Sequence, residues 1–162
     1  MRTPKLLAAA LMAPLAALAS SLIPHTLAQR GQYADRVALV QVLERRVEPA
    51  HGSTPMKTFT RVMVGEDLKG TGPAEFDIVQ LGGVNGAEVV QVPGDAEFST
   101  GETSVVFVTC KLAKDRCHLV ALGAGRLRFD GAWLRDRDLF TGEWRMLSID
   151  QLKAELKKGG AK

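Results

Sequence analysis

From Tyr33 onward the chain alternates short apolar runs with breaks rich in Gly, Pro and Asp. Val37–Val42 is rich in β-branched residues and predicts a strand. Residues 58–64 predict another, with Phe59 and Met63 on one face and Val62 and Val64 on the other. Phe76–Leu81 alternates with period two, and Glu88–Val92 carries a weaker strand signal. Thr103–Cys110 is the most apolar run and predicts a central strand buried on both faces. Cys117–Leu122 follows it, and Arg126–Phe129 places Leu127 and Phe129 inward. Asp130-Gly131 predicts a tight turn into Trp133-Leu134. Breaks fall at 48–55, 69–73, 82–86, 93–95 and 100–101. About seven strands at this spacing predict a mainly β fold, a small antiparallel barrel or sandwich. The long helices that parallel crossovers require are missing.

One helix is predicted near the end, over residues 148–162 with its tail. Ser148 and Gln151 form a capping box, Ile149, Leu152 and Leu156 share a face, and Lys153, Lys157 and Lys158 lie towards the negative C-terminal end. Gly159-Gly160 is expected to stop it.

The first segment has a different character. Arg2 and Lys5 precede an apolar run from Leu6 to Leu18, and small residues follow at Ala17-Leu18-Ala19 and Thr26-Leu27-Ala28. This is the layout of a secretory signal peptide. Two cuts fit, after Ala19 or after Ala28, and the abrupt polar turn at Gln29 favours Ala28. The expected organisation is therefore a signal over 1–28, a barrel domain over 29–147 and a helical tail over 148–162. Export leads to the periplasm or the exterior, with no stable membrane insertion once the signal is cut, because no later run is long and apolar enough to span.

Composition narrows the class further. With 162 residues, 46% hydrophobic and 24% charged, the chain has room for one domain. Two of its 21 Lys+Arg, Arg2 and Lys5, belong to the leader, and the remaining 19 stand against 18 Asp+Glu. That balance excludes a strongly basic nucleic-acid binder.

Cys110 and Cys117 flank a polar hairpin loop, and an oxidising compartment predicts a disulfide between them. A metal site built from Cys110, Cys117 and His118, with His51 as a fourth ligand, is the competing reading, and its spacing does not match zinc knuckles or ribbons. No nucleophile elbow, HExxH or P-loop is present, and the expectation is no cofactor. Gly82-Gly83 and Gly86 read as a turn with positive φ angles. Asp136 and Asp138, interleaved with Arg135 and Arg137, read as ion pairs on a solvated strand or loop. His118 reads as sitting on the polar face of its strand, and Trp133 and Trp144 as cover for the barrel.

Two segments carry a family resemblance. Val64-Gly65-Glu66-Asp67-Leu68-Lys69-Gly70 resembles the strand end of netrin-like domains, and Phe98 to Val108 resembles their "F…GE…LVFL" strand. The resemblance covers roughly Ala34 to Phe129. It implies a five-stranded barrel of the oligonucleotide/oligosaccharide-binding (OB) type with flanking helices. The tissue inhibitors of metalloproteinases in that family act through a Cys at the mature N-terminus, and this chain has no Cys before Cys110. The resemblance therefore implies the fold without that inhibitory mechanism.

The expected function is a non-enzymatic exported binding module that recognises an unknown protein or envelope component. Its surface would be rim loops at 48–56, 82–87 and 93–101, with Gly82, Gly83, Asn85, Pro93, Gly94 and Asp95 central to it. The alternative is a metal-assisted hydrolase or metal-binding protein of the envelope using His51, His118 and a carboxylate.

Overall fold

The computed structural model describes residues 26–138 and 141–160. Its strands are β1 (Arg36–Glu48), β2 (Lys57–Lys69), β3 (Glu75–Leu81), β4 (Gly83–Asn85), β5 (Glu88–Val90), β6 (Thr103–Ala113), β7 (Arg116–Leu119), β8 (Arg126–Phe129), β9 (Leu134–Arg137) and β10 (Trp144–Leu147). Helix α1 (Leu27–Tyr33) precedes them and α2 (Ile149–Gly160) follows. Every strand expected from the pattern is present, and β4 and β10 are additional.

β1 pairs with β2 along its length, while its first half, Arg36 to Gln41, also pairs with β6. Register shifts at Val37/Ala38, Leu39/Val40 and Val42/Glu44 coil β1 so that one strand serves two neighbours. The ladder runs β1, β2, β3, β7, β6 and returns to β1. This is an OB-like barrel with a thin seam. The seam is β3–β7, a parallel ladder of only two residue pairs in an otherwise antiparallel fold. Beyond β6 the sheet continues through β8, β9 and β10.

Strand alternation divides the apolar residues between two cores. Ala38, Val40, Val42, Val62, Phe76, Ile78, Val106 and Val108 fill the barrel. Val37, Val105 and Phe107 point the other way, against Leu127, Leu134, Leu147 and the helices' Leu27 and Leu152. β1 and β6 serve both cores, which is why their sequences read as nearly continuous apolar runs.

The helices close the second core. Ser148 and Gln151 form the expected capping box on α2, and Leu152 is fully buried. α2 ends at the Gly159-Gly160 pair among the described residues, and α1 passes Gly159 at close range: a Cβ there would lie 2.8 Å from the Ala28 carbonyl oxygen. The segment read as a signal lies outside the described residues as far as residue 25. Its last three residues open α1, where Thr26 caps the helix with Gln29 and Leu27 is 1% exposed.

Cys110 and Cys117 form a disulfide, and Cys117 is buried beside the seam, opposite Ile78. The bond ties β6 to β7, the strand whose other edge forms the thin β3–β7 seam. Its short loop limits the entropic gain to about 2–3 kcal/mol. Reduction, or Cys110→Ser with Cys117→Ser, is expected to lower stability by that amount and to raise amide exchange first in β7. Unchanged exchange in β7 would contradict this role.

Asp35 pins the same region from the entry to β1. It accepts from Thr109 Oγ1 at 2.7 Å and from the Cys110 N–H at 3.0 Å. The Thr109 hydrogen bond is the largest influence and, with the Cys110 amide and the nearby Lys111 and Lys69, holds its carboxyl below the usual aspartate value against the opposing effect of burial. A depressed folded-state pKa means stability that is present above the unfolded value of about 3.9 and is lost as pH falls through the folded value. Asp35→Asn should therefore flatten the decline of the urea midpoint below about pH 4. The effect will be small because the group is exposed. Equal acid slopes in the two proteins would refute it.

Candidate functional site

β3 ends at Leu81, and the chain then bends sharply through Gly82 (φ +86°) and Gly83 (φ +149°). Both glycines are required by space as well as by dihedral. A Cβ on Gly82 would overlap the Val90 carbonyl oxygen, and one on Gly83 would lie 2.6 Å from Thr58 Oγ1. Thr58 Oγ1 donates to the Gly82 carbonyl at 2.7 Å, and the Gly82 N–H donates to Met56 O at 2.8 Å. The bend is thereby fixed to β2. It launches the β4–β5 hairpin, whose pairs are Gly83↔Val90, Val84↔Val89 and Asn85↔Glu88.

The segment 91–102 returns along the barrel end. Pro93-Gly94 turns it, with the Asp95 N–H on Val92 O, and Asp95 Oδ1 accepts from the Ala96 N–H. Gln80 Nε2 donates to Ala96 O at 2.7 Å, and the Gly123 N–H donates to Gly94 O at 2.9 Å. Phe98, 1% exposed, plugs the barrel from this segment, with the Arg126 guanidinium 5.1 Å from its ring centre. Arg126 pairs with Glu102; burial lowers the pKa of Arg126 and the Glu102 charge opposes that.

Between the hairpin and this segment lies a groove of about 590 Å³, within the range of ligand sites. Gly82, Gly83, Gly94 and Asp95 line it; Asn85 and Pro93 do not. The 48–56 connection does not line it either, and Arg45, Val47 and Thr58 stand there instead. The sequence reading missed its apolar wall. Leu81, Val84 and Val89 are 57–63% exposed, and Val90 is 43% exposed. The available signal was the run of valines around a hairpin too short to bury them.

The other candidates are dispersed. His51 is exposed in the β1–β2 connection, paired in an isolated bridge with Thr54. His118 is exposed on β7, with Nδ1 3.1 Å from Val79 O. Among the described residues, no three His, Cys, Asp or Glu side chains group so as to hold a metal ion. Among the same residues no helix is long and apolar enough to cross a membrane.

Two readings of the sequence are corrected. Asp136 is not a solvated partner of Arg135 and Arg137. It is 2% exposed on the inner face of β9, with Arg30 NH2 2.8 Å from Oδ1 and Arg145 Nε 2.8 Å from Oδ2. Arg30, also 2% exposed, further donates to Ala124 O at 2.6 Å. The alternation Leu134-Arg135-Asp136-Arg137 held the signal, since period two places Asp136 beside Leu134. Nor do Trp133 and Trp144 cover the barrel, being 46% and 69% exposed.

The fold and groove define a mainly β, OB-like barrel with a hairpin-walled cleft. Comparison with known proteins finds no matching family model and no matching curated protein.

Proposed function

We propose that this is an exported, non-enzymatic binding module of netrin-like type that receives an apolar segment of an envelope partner in the β4–β5 groove. The observation that carries this reading is the groove's wall: three exposed valines on the hairpin and Leu81 at the end of β3, on either side of two glycines that tolerate no Cβ. A rigid scaffold presenting an apolar cleft is the usual form of a recognition site. The disulfide supports an oxidising destination. The netrin-like type rests on the sequence resemblance of residues 64–70 and 98–108.

The test places a photo-crosslinking residue at Val84 or Val89, with Leu112, 87% exposed and outside the groove, as control. One envelope component captured from 84 and 89 but not from 112 supports the site. No adduct, or the same adducts from all three positions, rejects it.

Leader removal should leave Thr26 and Leu27 in place, because a cut after Ala28 would delete the cap of α1 and a core leucine. Intact mass of the exported protein is expected to give an N-terminus before Thr26, consistent with the cut after Ala19. A start at Gln29 would show that α1 forms without its first turn.

A further inference from the structure

The outer face of β8–β10 gathers exposed guanidinium groups and large exposed apolar side chains. Arg128 stands directly opposite Arg135 in the β8–β9 ladder. Like charges directly opposite destabilise a sheet. Each keeps one acidic neighbour: Arg128 reaches the Glu102 carboxylate, which Arg126 shares, at 3.8 Å, and Arg135 reaches Asp130 at 3.8 Å. Across β10, Trp144 lies opposite Arg137 and Met146 opposite Arg135. Period two puts Trp133 on this face as well. Trp144, Met146 and Trp133 are 69%, 54% and 46% exposed.

The opposite side of the barrel shows what a matched arrangement looks like. There Arg46 and Arg61 converge on Asp77, with Glu48 and Glu75 beside them. The β8–β10 face has carboxylates of its own, Glu102 shared by Arg126 and Arg128 and Asp130 beside Arg135, and adds two exposed indoles and a thioether, with Arg137 6.0 Å from the Trp144 ring centre.

We propose that this ribbon docks on an anionic lipid surface. Guanidinium groups suit phosphate headgroups, and exposed indoles suit the headgroup level, where an amphipathic ring is half solvated. Across the β9–β10 ladder each apolar side chain faces a cation, Trp144 opposite Arg137 and Met146 opposite Arg135, instead of gathering into one dry centre, as a protein interface would require. The surface potential of an anionic leaflet also relieves the Arg128–Arg135 repulsion. This docking is peripheral and separate from the groove, so it stands or falls independently of the crosslinking result.

The chain's only two tryptophans both lie on this face, so their emission reports it directly. Exported protein is mixed with vesicles of phosphatidylcholine alone or with added phosphatidylglycerol, and both co-sedimentation and tryptophan emission are recorded. The expected result is binding and a blue shift with the anionic vesicles only, weakening as salt is raised. The triple variant Arg128→Gln, Arg135→Gln, Arg137→Gln should bind about tenfold or more weakly. Its thermal midpoint should be unchanged or higher. The proposal is overturned by equal binding to neutral vesicles, by undiminished binding of the triple variant, or by co-sedimentation without any emission change. A soluble polyanion such as dextran sulfate that shifts the emission as fully as the vesicles also overturns it.

Discussion

Asp136→Asn is expected to destabilise the protein by about 3–5 kcal/mol, the usual result of removing one partner of a buried charge pair. Asp136 binds two arginines of unequal exposure. The Arg145 side chain is 48% exposed and can turn to water, whereas that of Arg30 is 2% exposed and would remain as a buried cation facing a neutral amide. The damage should localise to α1, because Arg30 is the link from that helix to β9. Amide exchange in α1 and α2 should accelerate before exchange in the barrel does. Arg30→Met should be milder, since Asp136 keeps Arg145. The double variant should recover part of the loss, giving a non-additive cycle. Urea unfolding of the four proteins measures this. Additive losses would show that Arg30 and Asp136 do not depend on each other. Against a typical total of about 5–15 kcal/mol, the single change could leave a large unfolded population at 37 °C.

Phe98→Ala is expected to cost about 3–5 kcal/mol, the range for truncating a buried aromatic. Phe98 belongs to no strand, yet it fills the barrel with Phe76, Ile78 and Val106 and supports the Arg126 guanidinium. Truncation removes the plug from the end of the barrel where the groove lies, so thermal unfolding and groove crosslinking should both deteriorate. Phe98→Leu keeps most of the volume and should cost less than about 1.5 kcal/mol. That pair separates a packing role from a merely connecting one. Equal stability of the alanine and leucine variants would mean that the segment, not the ring, closes the barrel.

The strands that build the barrel were legible because their burial is written in their alternation. β1 and β6 looked unusually apolar for the same reason that they join two cores. β10 was not legible: Trp144, Arg145 and Met146 are all exposed, and only Leu147 is buried, so the strand exists through its pairing with β9. α1 was hidden by overlap with the leader, and seven residues including Gly31 do not make a stable helix alone. It forms against α2, where Gly31 faces Leu156. At the candidate site, Gly82-Gly83 and Gly94 line the groove, whereas Asn85, Pro93 and the 48–56 connection do not. The apolar wall could not be read from them, because a valine's exposure depends on what the tertiary fold leaves uncovered.

The contact between α1 and α2 sets an order of events during biosynthesis. Residues 27–34 are among the first of the fold to leave the ribosome, yet their apolar side chains have no finished seat until Leu152 and Leu156 have also emerged. The barrel strands can pair earlier, but the helical layer waits until α2 has emerged. Truncations that stop short of residue 152 should therefore release a barrel with its opening helix undocked, a form that cellular proteases would find first at its amino end.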